Sequence, residues 1–538
     1  MHTAPVPRVL IAAAECRGLA KVGGLADVVR DLSQALRALG VPAEVAMPYY
    51  DAVHCDARPI DRFLVHFGGQ EWQTDVFEYT LGAVTTYLLR NDHFFGGAYG
   101  SVYIDSDRLG RGPFEDDTQR FAFFSAAALE FLRRHPVDAL HCHDWHTGPL
   151  LTLLAHDPRY LQLAQSLRTL FTIHNLDYQG TRPFEWPGAE RSLVAFADWF
   201  PELYPRLKQR GALEPLRDPR AADACFNPLR AGINLAHGVT TVSPTYAREI
   251  TRPDDPARNF VGGRGLEPDL QALDRRGALH GILNGLDYVE HDPLHLDPPF
   301  DVDAAGWQEM RRLHKDRLLE ELPARMAHLR NVHPGHFWNA ERVLEKLSAY
   351  TAAAWQARPL VVSVTRAVGQ KVSILLEALD DGTPLLEALL ARNISLLVLG
   401  TGDLQEQLER INAYDNGLFV CAFDAKFAQT LYAGGDLFLM PSDFEPCGLS
   451  QMMAMRYGCL PLVYDIGGLK DTVADMQTGF VYAGANRPEA RRALLAALDR
   501  ALDGYANRPT QWRAIQSAAM RARFEWEASA RQYLELYR

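Results

Sequence analysis

Long apolar runs are missing from this chain. No stretch of its 538 residues approaches the roughly 20 apolar side chains that a membrane span requires. The start carries no basic segment followed by an apolar secretion core, and the short run Val9–Ala14 reads instead as a first strand. A basic stripe is missing too: 55 Lys and Arg stand against 67 Asp and Glu, a net charge of −12. That argues against nucleic acid or an anionic membrane as partner. It leaves room for a nucleotide ligand, which needs only a few local cations. The seven cysteines are scattered and form no C-x-x-C pair. An odd, dispersed set fits reduced thiols in the cytoplasm better than a disulfide framework. Neither an internal repeat nor a low-complexity tract is present.

What is there is a soluble, globular composition, 47% hydrophobic and 23% charged, in a chain too long for one core. Single cores stop growing at about 250–300 residues, so two large domains are expected. Short β-branched runs alternate with helical patterns. In the first half the runs are Val9–Ala14, Val41–Met47, Ala139–His143, Thr169–His174 and Gly238–Ser243. In the second they are Leu360–Val364, Ser395–Leu399, Leu418–Cys421, Leu437–Met440 and Leu460–Tyr464. Leu25, Val28, Val29, Leu32, Leu36 and Leu39 make one helix face, stopped by Gly40. Strand–helix alternation means parallel βαβ units. Two such series flank an irregular stretch near 250–300 and predict two Rossmann-like doubly wound α/β domains. Trp307–Glu321 and Glu341–Trp355, within 302–358, read as charged amphipathic surface helices. Their neighbours His328, His333 and His336 read as surface residues rather than metal ligands.

Ligands of open α/β sheets bind beyond the carboxyl ends of the strands, so the residues following each strand matter most. Lys21-Val22-Gly23-Gly24-Leu25-Ala26-Asp27 follows the first strand. Paired glycines let backbone N–H groups approach an anion, and a helix N-terminus and a lysine add positive charge. The loop is neither a Walker A motif nor G-x-G-x-x-G. His141-Cys142-His143-Asp144-Trp145-His146 ends another strand. Alternate strand residues point to opposite faces, so these side chains cannot all converge on one ion, and the cluster suits a sugar better than zinc. Thr172-Ile173-His174-Asn175 ends a third strand, with His174 either a core histidine or a site residue. Arg366 and Lys371 share the loop after Leu360–Val364 and are placed to flank a diphosphate. Pro441–Ser450 contains Glu445, Pro446, Cys447, Gly448 and Leu449, and enters a helix whose free N–H groups suit phosphate oxygens. The Met452, Met453 and Met455 face of that helix reads as core. Two Asp-x-Asp strings, Asp105-Ser106-Asp107 and Asp301-Val302-Asp303, read as surface loops rather than as metal sites.

In order, these motifs resemble the bacterial glycogen synthase and plant starch synthase family. The resembling blocks are Lys21–Val28, His141–His146, Thr172–Gly180, Thr241–Ile250, Gly281–Asp287, Arg366–Lys371, Ser442–Ser450 and Gly467–Val473, with a similar Phe524–Tyr537. They span nearly the whole chain apart from 302–358. The resemblance implies a retaining glycosyltransferase of the GT-B type, two Rossmann-like domains facing each other across a deep cleft. An N-terminal domain, 1–250, would hold acceptor and glucose, with a C-terminal helix at about 520–538 packing back on it. A C-terminal domain, 251–519, would hold the nucleotide sugar and carry 302–358 as an extra helical segment. ADP-glucose would donate glucose to the non-reducing end of an α-1,4-glucan.

By match of motif, Lys21, Arg366 and Lys371 would hold the diphosphate, with Gly23, Gly24 and the N–H groups from Cys447 through Gly448, Leu449 and Ser450 assisting. Asp144, His174 and Asn227 would hold the donor glucose. Glu445 would stabilise positive charge at its anomeric carbon. Phe423, where the family has Tyr, would stack on adenine. No cofactor or metal is implied, because cations and a helix end share that task. Departures from the family pattern are Val372 in place of Gly, Tyr288–Pro293 in place of an aromatic–Pro ending, His237 in place of Asp, and the length of 302–358. Alternatives are a catalytically weakened glucan-binding homologue, and a related transferase using UDP-glucose or a different acceptor. A pyridoxal-phosphate phosphorylase would need a Schiff-base lysine context that is absent.

Overall fold

The computed structural model describes residues 6–97, 100–104, 115–186, 194–221, 224–332, 335 and 337–538. The string Asp105-Ser106-Asp107 and the histidines His333 and His336 lie outside the described residues. The chain forms two units. One comprises Met1–Asp254, Gly262–Gly285 and Glu525–Arg538; the other comprises Asp255–Val261 and Leu286–Phe524.

The first unit is built on strands β1 (Val9–Ala12), β2 (Ala43–Pro48), β3 (Arg58–Phe67), β4 (Gln70–Leu81), β5 (Val84–Arg90), β6 (Ala139–His143), β7 (Arg168–Ile173), β10 (Gly238–Thr241) and β11 (Leu279–Gly281). Two short strands, β8 (Arg182–Pro183) and β9 (Cys225–Phe226), form a separate ribbon. The main sheet runs β11-β10-β7-β6-β1-β2-β5-β4-β3. All of β1 is buried, as a central parallel strand covered on both faces must be. It pairs in parallel with β2 on one side and β6 on the other, so the strand order reverses there and opens a crevice at the carboxyl ends of β1 and β6.

Strands β3 and β4 are antiparallel and were not expected from the alternation of strands and helices. They join through Gly68 and Gly69, both at positive φ (64° and 72°), the backbone that tight hairpins demand. Strand β11 pairs with β10, which places 262–285 in the first unit rather than beyond a boundary at 250. The C-terminal helix Trp526–Tyr537 packs on the helix Gly24–Ala38 and on β7.

The second unit carries β12 (Leu360–Val364), β13 (Ser395–Leu399), β14 (Gly417–Val420), β15 (Leu437–Met440), β16 (Leu460–Tyr464) and β17 (Phe480–Tyr482). The sheet is parallel throughout, in the order β14-β13-β12-β15-β16-β17. That is the doubly wound nucleotide-binding order, reversing between β12 and β15.

The segment 302–358 is not a surface element. Its helices are Trp307–Val332, Ala340–Ser348 and Ala352–Gln356, so the expected single helix Glu341–Trp355 is broken. Leu318, Leu319, Leu322, Met326, Leu329, Val343, Leu347 and Trp355 belong to the unit's core. Inward-facing charges are all engaged. The Arg311 guanidinium donates to the carbonyls of Gly435 and Tyr457, at the ends of helices Ala425–Gly434 and Ser450–Arg456. Lys315 pairs with Asp436 at 2.7 Å, and the same carboxylate oxygen accepts the Leu360 N–H at 2.8 Å, fixing the start of β12. The N–H of Trp338 and the side chain of Asn339 cover the outer edge of β14: Asn339 donates to Phe419 O and Glu409 and accepts from Cys421 N–H.

Candidate functional site

In the first unit the loop after β1 is organised by a residue that pattern reading passed over. Glu15 is buried, and its carboxylate accepts the N–H groups of Val22 and Gly23, while Tyr103 Oη donates to its other oxygen at 3.2 Å. Burial raises its pKa, against the pull of those hydrogen bonds. The Gly23 N–H, one of those expected to meet an incoming anion, is therefore held by the protein's own carboxylate together with that of Val22. Lys21 is exposed and pairs with Asp27 at 2.7 Å, and Asp27 also takes Arg17 at 3.1 Å. Gly24 opens the helix Gly24–Ala38. A Cβ at Gly23 or Gly24 would meet nothing within 4 Å, and neither glycine takes positive φ. The fold itself makes no demand for glycine here, whereas a ligand approaching the backbone does.

At the end of β6, Asp144 sits at φ 55°, a left-handed backbone that costs energy for a non-glycine residue. Its Oδ1 accepts the His174 N–H at 2.8 Å from the end of β7. Burial pushes this carboxyl up to about 8, opposed by the His174 and Asn175 N–H groups. His141 and His143, two apart on β6, share a face with ring centroids 4.1 Å apart, yet each of the histidines here has its own hydrogen-bond partners. His141 Nδ1 meets Tyr537 Oη at 2.8 Å and its Nε2 meets Thr172 Oγ1 at 2.6 Å. His143 Nδ1 meets His174 Nε2 at 2.9 Å, and His146 Nε2 meets Tyr103 Oη at 2.9 Å. Desolvation holds His141, His146 and His174 at about 3 and His143 well below its ordinary value, so all four are neutral. Among the described residues no group of three or more His, Cys, Asp or Glu is placed to hold a metal ion.

Asn227, assigned by motif to the donor sugar, is fully buried and its side chain is engaged by the fold. It caps the helix Pro228–Leu235 by accepting Arg230 N–H at 2.9 Å, and its amide donates to Gln179 at 2.6 Å and Asp218 at 3.2 Å.

In the second unit the loops after β12 and β15 are stapled together. Asp443 N–H donates to Gln370 O at 2.8 Å, Gln370 Nε2 to Phe444 O at 3.0 Å, and Ser373 Oγ to Asp443 at 2.6 Å. Arg487 ties Asp443 and Glu377 behind them. The staple brings Lys371 onto Glu445 as a partly buried ion pair, with Ser442 Oγ donating to the same carboxylate oxygen at 3.1 Å. Arg366 in the same loop is exposed and has no ion-pair partner among the described residues. Gly448 takes φ 75°, which aims the chain from Cys447 through Leu449 into the helix starting at Ser450. Met452 and Met455 are buried core. Phe423, just past β14, is 77% exposed, unusual for so large an apolar ring and suited to stacking.

The departures from the family pattern find their places. Val372 turns into the core at negative φ, so nothing in the backbone calls for glycine there. His237 Nδ1 accepts from Thr169 N–H at 3.1 Å, doing a carboxylate's work as a neutral ring. Asp303 pairs with Arg521 at 2.8 Å in a surface loop.

Two Rossmann-like units, each gathering polar residues at its switch point, define a nucleotide-sugar-dependent glycosyltransferase of the GT-B type. Residues 8–272 match the starch synthase catalytic domain model, and 358–502 match the group 1 glycosyl transferase model. The glycogen synthase of Streptococcus uberis is 34% identical over 98% of both chains. That of Geobacillus thermodenitrificans is 32% identical over 98% of this chain and 97% of its own. Among solved structures, the catalytic domain of starch synthase IV from Arabidopsis thaliana, bound to ADP and acarbose, is similar with a TM-score of 0.76 and 29% identity over 99% of both chains. The chain belongs to the glycogen and starch synthase family of glycosyltransferases.

Proposed function

We propose that the protein transfers glucose from ADP-glucose to the non-reducing end of an α-1,4-glucan with retention of anomeric configuration, in the cytoplasm and without a bound metal ion. The observation that carries this reading is the meeting of Lys371 and Glu445 at the switch point of the second sheet, with the exposed Arg366 in the same loop as Lys371. In the reaction the bond from the sugar's anomeric carbon to the diphosphate breaks, and its electron pair leaves with phosphate. Arg366 and Lys371 take up that charge, and Lys21 adds to it. The acceptor hydroxyl bonds to the same carbon and loses its proton. Glu445 offsets the positive charge that grows on the sugar in between, in a site built in advance.

Asp144 and His174 hold the donor glucose, and Phe423 stacks on the base. Asn227 acts behind them, by fixing Gln179. The solved relative bound to ADP and acarbose supports this choice of donor and acceptor class. All seven cysteines are free, which fits a reducing compartment and is checked by fractionating the cells that make the protein.

Replacing Glu445 by Ala is expected to lower kcat on the order of 10²–10³-fold. Undiminished turnover would remove the role assigned to it. EDTA is expected to leave turnover intact. Loss of activity that a divalent ion restores would overturn the metal-free reading.

A further inference from the structure

His143 is fully buried directly behind His174, and the two rings meet through one hydrogen bond, Nδ1 to Nε2 at 2.9 Å. One of these nitrogens must carry the proton, and the other must accept. The choice is settled by the far side of the His143 ring. Its Nε2 is buried and has no hydrogen-bond partner among the described residues. An orphaned lone pair is tolerated in protein interiors more readily than an orphaned N–H. His143 therefore keeps its single proton on Nδ1 and donates it. His174 Nε2 is then the acceptor, and its own proton lies on Nδ1, the nitrogen with no partner among the described residues, on a ring that is partly exposed. Both rings are neutral, because burial holds their pKa values far below the ordinary range.

The geometry points to His143 as a positioning residue: by donating from Nδ1 it fixes the ring and tautomer of His174, so that His174 presents an N–H to its ligand and recognises a sugar hydroxyl by its lone pair. The arrangement is braced from behind. His141 lies against His143 with ring centroids 4.1 Å apart, and is itself pinned by Tyr537 and Thr172. His143 thus has little freedom to turn its Nε2 forward. This inference rests on the reading of His174 as a contact to the donor sugar. It goes beyond it in stating the proton's location and the residue that sets it.

Asparagine and glutamine test it because they imitate different ring nitrogens: an Asn amide nitrogen falls near Nδ1 of the histidine it replaces, and a Gln amide nitrogen near Nε2. Turnover of ADP-glucose with glycogen is to be measured in the full-length protein for His143→Asn, His143→Gln and His143→Phe, together with thermal unfolding of each. His143→Asn is expected to stay within a few-fold of the parent kcat/KM. His143→Gln and His143→Phe are expected to lose on the order of 10²-fold, as a misplaced contact does, without a matching difference in unfolding temperature. Equal activity in all three variants, or rescue by Gln rather than Asn, would overturn the proposal.

A second readout does not depend on the donor. Long-range ¹H–¹⁵N correlation of histidine-labelled protein, with the His174 signals identified by their absence in His174→Asn, should show His174 protonated at Nδ1. Protonation at Nε2 would overturn the proposal even if the kinetics agreed. If the parent protein turns over no nucleotide sugar, the function above fails, while the spectrum still decides the tautomer.

Discussion

Asp144 combines strained backbone, burial and a one-sided hydrogen-bond environment. Its carboxyl is pushed up to about 8, while in the unfolded chain it titrates near the ordinary 3.8. A folded-state value above the unfolded one contributes stability that is complete below the unfolded value and lost as pH rises toward the folded one. Asp144→Asn keeps the oxygen that accepts the His174 N–H but cannot ionise. Its unfolding temperature relative to the parent should therefore rise between about pH 4 and about pH 8, and a difference that is flat with pH would contradict the burial argument. Residue-scale chemistry was readable in part from sequence. Asp144, His174, Arg366, Lys371 and Glu445 all follow strand ends and were singled out for that reason. Glu15 was not singled out, because a lone carboxylate in Ala14-Glu15-Cys16-Arg17 carries no motif, and His143 was given no role apart from its cluster. Asn227 carried a family motif, and its helix cap and its bonds to Gln179 and Asp218 are contacts that no local pattern reveals.

At the scale of elements, the ten apolar runs all became strands, with ends moved by a few residues. Parallel strands buried on both faces leave continuous β-branched runs that need no knowledge of their partners. The hairpin β3–β4 was missed, although Phe63, Val65 and Phe67 alternate inward before Gly68-Gly69. Its outer face carries Arg62, His66 and Glu71, and Asp61 intrudes on the inner one to pair with Arg134 and His135, which dilutes the apolar signal. Segment 302–358 was misjudged for a similar reason. Its charge masks an apolar stripe, and Arg311 and Lys315 face inward with carbonyl and carboxylate partners that no local pattern reveals. The same segment covers an edge strand that would otherwise expose its ladder groups. Asn339 makes two of those contacts, to the Phe419 carbonyl and the Cys421 N–H. Asn339→Ala should destabilise the protein by about 1–3 kcal/mol, chiefly because it leaves the Cys421 N–H without its acceptor; the Phe419 carbonyl keeps Asn412 Nδ2 at 3.1 Å. Urea unfolding measures this, and a change within error would show that the edge is closed by the rest of the segment.

Across the whole molecule the chain builds one Rossmann-like unit, crosses to build a second, and returns at Glu525–Arg538 to complete the first. Tyr537 then bonds His141, so the last helix reaches the strand that carries Asp144. Each unit gathers polar residues at its own switch point: Glu15, Asp144 and His174 after β1, β6 and β7, and Lys371 with Glu445 after β12 and β15. Membership of the glycogen and starch synthase family gives these two sets a common purpose. The central claim is that the pair serves transfer of glucose from ADP-glucose to an α-glucan. The most direct test is to incubate the full-length protein with glycogen and either ADP-glucose or UDP-glucose, following nucleoside diphosphate release together with glucose incorporated into polymer. ADP release matched by incorporation, and much slower reaction with UDP-glucose, is the predicted result; no release with either donor would contradict it.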